Sequence, residues 1–253
     1  MNHARAMTTR GLTKRFGAKT AVDGIDLDVP AGSMFGLVGP NGAGKTTALS
    51  MSVGLLRPDA GQVLIAGVDV WRESDRAREL VGVLPDALAM PERLTGREAL
   101  GYVGSLRGMD RGMVENRTHD LLTVLDLADD EGTLIAEYSA GMRKKIGLAL
   151  ALLHRPELLV LDEPFESVDP VSAITIRTML RRFTASGGTV ILSSHVMALV
   201  EQLCDHVGVL VDGQVAASGS LDDIRGGSTL EQRFVELSGA PDPLLAELAW
   251  LDR

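Results

Sequence analysis

The chain has 253 residues, 45% hydrophobic and 23% charged, with 34 acidic against 25 basic side chains and a net charge of −9. That balance excludes a disordered or collagen-like chain and argues against binding nucleic acid by phosphate neutralisation, so no nucleic-acid partner is expected. The single cysteine, Cys204, excludes an internal disulfide and a multi-cysteine metal site, and reads as a small buried hydrophobe on a helix.

Surface scaling at this size buries roughly 72% of the unfolded chain's area, enough for a core without staples. No apolar run approaches the roughly 18 residues of a membrane span. The strongest, Ile146 to Leu153, ends at His154-Arg155-Pro156. Met1 to Thr9 lacks the apolar stretch of a secretory signal. The expectation is a soluble, cytosolic chain.

In chain order, residues 7–29 read as antiparallel strands around a turn at Gly17, with Val22, Ile25, Leu27 and Val29 alternating against polar residues. Ser33 to Val38 is a short apolar strand, followed by a glycine-rich loop and a helix over Lys45 to Val53. Strands follow at Val63 to Ala66 and Val81 to Leu84, with a charged segment between them. From about 92 to 137 the periodicity becomes helical, through Leu94, Leu100, Val103 and Leu106 and then Val114, Leu121, Leu122 and Leu125. This predicts a helical subdomain, about 87–155, inserted in an α/β chain. After it, strand and helix alternate: a helix at 143–153, strand Leu158 to Leu161, helix 170–185, strand Thr189 to Leu192 and helix 196–203. A hairpin turns at Asp212-Gly213, and 229–251 reads as amphipathic helix broken at Gly239 to Pro243. Buried strands alternating with helices predict a mainly parallel sheet.

Gly39-Pro40-Asn41-Gly42-Ala43-Gly44-Lys45-Thr46 fits the phosphate-loop pattern G-x-x-x-x-G-K-[ST], with the strand before and the helix after that the motif needs. Glycines let successive backbone N–H groups converge on phosphate oxygens, and the helix N-terminus adds its positive end. Lys45 is expected to reach the β- and γ-phosphates, Thr46 to ligate Mg²⁺, and Thr47 to add a further phosphate donor. The run Leu158 to Leu161 delivers Asp162 and Glu163 at the C-terminal edge of a buried strand, where open α/β sheets bind ligands. Asp162 is expected to orient Mg²⁺ through water, and Glu163 to polarise the water attacking the γ-phosphate.

The segment Tyr138-Ser139-Ala140-Gly141-Met142 resembles the signature motif, usually written LSGGQ, of ATP-binding-cassette (ABC) ATPases. Phosphate loop, helical insert, signature, acidic strand and a histidine after a strand follow in that family's order. The resemblance implies a P-loop NTPase core with an N-terminal antiparallel β subdomain and the inserted helical subdomain. The cassette would span 7–225, with a short helical extension over 226–253. Phe16 then matches the aromatic that stacks on adenine, and His195 the histidine that contacts the γ-phosphate. Asp169, in Glu166-Ser167-Val168-Asp169, matches the acid of a loop that communicates between two ATP sites, and it can also cap a helix before Pro170. In this family two cassettes pair head to tail, so Ser139 and Gly141 would touch ATP held by the partner chain. A homodimer is the simplest expectation, together with a separately encoded multi-span membrane permease that holds the chain at the cytoplasmic face.

The sequence departs from the family pattern in places. Ala140 and Met142 replace Gly and Gln of the signature. Asp86 stands where Gln is usual, and its shorter, charged side chain puts its reach to Mg²⁺ or the attacking water in doubt and would slow hydrolysis. Arg143, Lys144 and Lys145 read as a solvated basic face. Met90, Pro91 and Leu94 are open to two readings, as core or as the lining of a groove for the permease. The signature variant, together with the helix around Leu230 to Leu237, which resembles the ending of single-cassette exporter ATPases, points to export. A non-transport ATPase of the family and a nucleotide-dependent regulator are the competing readings. The transported substrate stays open, because the membrane subunit would form its cavity.

Overall fold

The protein is described by a computed structural model covering residues 5–86 and 89–238. Alternation in the first thirty residues produces a hairpin of β1 (Arg5–Phe16) and β2 (Lys19–Pro30), with Thr9 opposite Leu27 and Leu12 opposite Ile25. With β4 (Ala60–Ile65) and β5 (Val68–Asp69) it forms an antiparallel sheet of order β2-β1-β4-β5.

The second sheet contains β3 (Met34–Val38), β6 (Val81–Leu84), β7 (Leu158–Leu161), β8 (Thr189–Ser194), β9 (His206–Val211) and β10 (Gln214–Ser220), in the order β10-β9-β3-β8-β7-β6. It is built around the fully buried strands β3, β7 and β8, with the partly exposed β10 at one edge. All its pairings are parallel except the β9–β10 hairpin. That hairpin turns at Asp212-Gly213, both at positive φ, as a two-residue turn requires. Because successive side chains point to opposite faces, one strand feeds two cores. Leu159 and Leu161 join the core that contains Leu100, Leu122 and Ile146, whereas Leu158 and Val160 join the core shared with the antiparallel sheet, which contains Ile25, Val63 and Met51.

Helix α1 (Lys45–Ser52) follows β3, and α2 (Ser74–Leu80) occupies the charged segment between β5 and β6. Sequence periodicity does not reveal α2, because Ala77 is its only buried residue and its exposed face is made of Arg76–Glu73 and Arg78–Asp75 pairs. Between β6 and β7 the described chain is helical: α3 (Gly96–Leu106), α4 (Arg111–Val124), two single 3₁₀ turns and α5 (Ala140–Leu152). Thr95 and Glu98 start α3 with a reciprocal capping box. Leu106 is 69% exposed despite its helical spacing. Helix α5 begins three residues earlier than predicted, because the Ser139 hydroxyl accepts the Met142 N–H and caps it.

The chain closes with α6 (Pro170–Ala185), α7 (Met197–Leu203), α8 (Leu221–Arg225) and α9 (Leu230–Ser238). Leu230 anchors α9 in the core, and its N–H donates to Glu201. The predicted helix beyond 238, and its break, lie outside the described residues. Cys204 is buried as expected but is the cap that ends α7 rather than a residue within it, and burial pushes its thiol pKa up.

The basic run after the signature is not a solvated face, which corrects the sequence expectation. Arg143 donates to the Ala136 and Tyr138 carbonyls and pairs with Glu92. Lys145 is buried and donates to the Asp126 carbonyl, and Lys144 reaches inward to Asp86 and Asp162. Long cationic side chains bury their stems on a helix and satisfy their charged ends on loop carbonyls. Met90 and Leu94 are partly buried against the core.

Candidate active site

The glycine-rich loop between β3 and α1 needs glycine at 39 and 44, where backbone oxygens leave no room for a side chain. A Cβ on Gly39 would stand 2.3 Å from the Leu210 carbonyl oxygen, and one on Gly44 would stand 2.4 Å from that of Ala21. Gly44 also caps α1 at φ 103°, a conformation suited to glycine. The β9–β10 turn braces the loop from outside, where Gly213 N–H donates to the Ala43 carbonyl at 3.0 Å. Ala43 is buried, and Asn41, Gly42 and Thr46 are exposed.

A cleft of about 500 Å³ opens over this loop. Of the residues singled out from the sequence, Phe16, Asn41, Gly42, Gly44, Lys45, Thr46, Thr47, Asp86, Glu163 and His195 line it. Phe16 lines it with a half-exposed ring, and the Lys14 ammonium lies 5.7 Å from its centroid. Gly39 and Pro40 contribute carbonyls that accept from Lys45 Nζ at 2.8 and 3.3 Å. Lys45 is 6% exposed. Burial pushes its pKa down, while Glu163 and Asp162 oppose that shift.

At the tip of β7, Asp162 is buried and accepts a short hydrogen bond from the Ser193 hydroxyl. That hydroxyl in turn accepts the Glu163 N–H at 2.9 Å. Glu163 stands at φ 47°, a left-handed conformation that costs an L-residue about 1–2 kcal/mol. Its carboxylate lies 3.9 Å from Lys45 Nζ and 3.0 Å from His195 Nδ1. A buried cation, a carboxylate and an imidazole thus meet at the mouth of the glycine-rich loop. Sequence reading missed Ser193, although its place two residues before His195 on a strand parallel to β7 puts it beside the acidic pair. It also missed Lys19, which lines the cleft together with Glu166 of the loop that ends at Asp169.

Ser139 and Gly141 are not among the lining residues. They lie at the N-terminus of α5, where the Ser139 hydroxyl is engaged in capping and a Cβ on Gly141 would stand 3.0 Å from the Ser167 carbonyl oxygen. Asp169 caps α6, accepting the Val171 and Ser172 N–H groups at 3.0 Å each. Hydrogen bonds from Ser172 hold its carboxyl below the usual range.

A second groove, about 860 Å³, runs between the end of α1, α2, α3 and α5. Its lining is mainly apolar, with Leu55 and Leu106 exposed on it and Asp75, Arg78, Glu79 and Arg107 among the charged groups.

The chain is similar to known proteins in sequence and in fold. A sequence profile described as ABC transporter matches residues 22–166. The linearmycin resistance ATP-binding protein LnrL of Bacillus subtilis (strain 168) is 35% identical over 232 residues, 90% of this chain and 75% of that protein. The daunorubicin resistance ATP-binding protein DrrA3 of Streptomyces coeruleorubidus is 39% identical over 220 residues, 87% of this chain and 70% of that one. Among solved structures, an ATP-binding subunit of an ABC transporter superposes with a TM-score of 0.86 at 30% identity, covering 92% of this chain and 99% of that one.

Proposed function

The chain belongs to the ABC transporter family, as an ATP-binding subunit and ATPase, and from that premise we propose that two copies close head to tail on ATP and Mg²⁺ to drive a separately encoded membrane permease. The observation that carries the site assignment is the convergence of Lys45, Glu163 and His195 in a cleft that Phe16 also lines.

Each group has a task in this reading. The Phe16 ring offers its face to adenine. The backbone N–H groups of the loop and the start of α1 receive the phosphates, and the Lys45 ammonium leaves its two carbonyls for phosphate oxygens. Glu163 accepts the proton of the attacking water, while His195 orients that carboxylate and meets the γ-phosphate. Burial of Lys45 and Asp162 keeps water from screening these charges.

The donor set suits Mg²⁺. Thr46 lines the cleft, and the Asp162 carboxylate has one oxygen oriented by Ser193. One or two protein oxygens, completed by phosphates and water, are what this ion takes. When bound it neutralises charge on the β- and γ-phosphates.

Ser139 and Gly141 lie away from their own chain's cleft, and a second copy bringing them over the phosphates would complete each site. The helix end at Ser139 offers N–H groups to an anion in that position. We assign the cassette to 7–225, with the helical subdomain about 87–155, and 226–253 to a C-terminal extension. Among the described residues no helix is long and apolar enough to cross a membrane. The groove holding Leu55 and Leu106 is the surface we assign to the permease, placing the chain on the cytoplasmic face. Export is the direction we propose, since resistance to a compound, named for two relatives, is what carrying it out of a cell provides.

The test uses Glu163→Gln and Lys45→Ala proteins. With ATP and Mg²⁺, Glu163→Gln should elute as a dimer and co-purify from solubilised membranes with a multi-span protein, while Lys45→Ala should do neither. A Glu163→Gln protein that hydrolyses ATP at the wild-type rate would sink the role of that carboxylate. A soluble dimer with no membrane protein would leave the ATPase and remove the permease.

A further inference from the structure

Lys144 occupies a position that none of the assigned roles uses. It projects from the first turns of α5 and is 14% exposed, with its ammonium 3.4 Å from Asp86 Oδ1 and 3.3 Å from the Asp162 carbonyl oxygen. The Asp162 N–H donates in turn to the Leu84 carbonyl at 2.8 Å, two residues before Asp86. One ammonium therefore ties the tips of β6 and β7 together beneath the cleft, and it does so from the helix that begins at the signature.

The electrostatics of the cleft explain why a cation is needed there. Asp86, Glu163 and Glu166 line it and Asp162 lies behind, whereas Lys19 and Lys45 are its lining ammonium groups. A nucleotide triphosphate with Mg²⁺ remains anionic, so a free carboxylate at position 86 would repel it across a half-screened space. A neutral side chain at this position would need no counter-charge. Lys144 is not among the lining residues, so its influence on the nucleotide passes through Asp86.

We propose that Lys144 is a positioning residue that cancels the charge of Asp86 and fixes its carboxylate at the edge of the nucleotide cleft. The pair makes an aspartate compatible with ATP at this place, and it couples the signature helix to the acidic strand within one chain. The proposal rests on reading the cleft as the ATP site.

The experiment measures binding of a non-hydrolysable β,γ-imido ATP analogue with Mg²⁺ to the purified full chain by calorimetry. The proteins are wild type, Lys144→Met, Asp86→Asn and the double variant, each checked for folding by thermal melting. Lys144→Met should weaken binding about tenfold at low salt, with the deficit shrinking as salt rises. Asp86→Asn should bind at least as tightly as wild type, and the double variant should return to within about twofold of it. Undiminished binding in Lys144→Met, or a double variant as weak as Lys144→Met, overturns the proposal. Should Lys144→Met not fold, Asp86→Asn decides alone: equal or tighter binding supports the proposal, and a several-fold loss overturns it. A wild-type chain that binds no analogue removes the ATP site and this role together, an outcome distinct from failure of Lys144 alone.

Discussion

His195 Nδ1 lies 3.0 Å from Glu163 Oε1, and Glu163 is held there by a left-handed backbone and by its N–H on Ser193. The imidazole follows β8 and the carboxylate follows β7, so their distance is set by the pairing of two parallel strands. His195→Ala should leave nucleotide binding intact and lower turnover by about 10²-fold, the usual scale for losing a positioned acid–base partner. Phosphate release and binding measured on the same preparation check it, and unchanged turnover would remove His195 from the site.

Ser193→Ala strips one hydroxyl from the buried Asp162 carboxylate and the partly buried Glu163 N–H. The loss should cost about 1–3 kcal/mol of stability. Calorimetry should show the melting temperature lowered by several degrees, and turnover should fall because the Asp162 oxygen loses its orientation. A protein with wild-type melting and turnover would show that another donor replaces the hydroxyl.

Gly44→Ala places a methyl group 2.4 Å from the Ala21 carbonyl at a φ of 103°. The atom in the way is backbone of β2 and cannot rotate aside, so the loop must shift. Binding of ATP should fall by at least about tenfold, each tenfold being 1.4 kcal/mol. Gly42→Ala is the control, because a Cβ there meets nothing within 4 Å, although its φ of 82° keeps a backbone cost. Equal effects of the two substitutions would show that backbone strain, and not the clash with Ala21, governs the loop.

His154 connects stability to pH. Nε2 is 3.1 Å from the Val81 carbonyl and Nδ1 is buried without a partner, and burial, reinforced by nearby Arg107, pushes the pKa down to about 4 from the usual 6.5. Between those values the unfolded chain binds a proton that the folded chain does not, so this contribution to stability rises with pH from 4 to 6.5 and is lost as pH falls through that window. Partial solvent access limits it to about 2 kcal/mol. Urea unfolding at a series of pH values should show a shallower slope for His154→Gln than for wild type. Parallel slopes would mean that the imidazole titrates normally.

The amino-acid sequence by itself determined the phosphate loop, the buried strands and the start of α6, features that depend on neighbours along the chain. The phosphate loop is a local turn between a strand and a helix, and glycines at 39, 42 and 44 with Lys45 and Thr46 specify it within eight residues. The buried strands are equally local, since a run such as Leu158 to Leu161 needs both faces covered. The α6 boundaries follow from Asp169 and Pro170 at its start.

Tertiary structure decided which distant groups meet. Helix α2 formed without an apolar stripe, because exposed charge pairs and a single buried alanine were enough beside β6. Ser193 became the hydroxyl between Asp162 and Glu163 only through the register of β8 against β7. Lys144 reads as a surface cation until the turn at Ser139 orients α5 toward the strand tips 18 and 58 residues away. A side chain's charge is written in the sequence, but what neutralises it depends on contacts between residues far apart in the chain, and only the fold sets those.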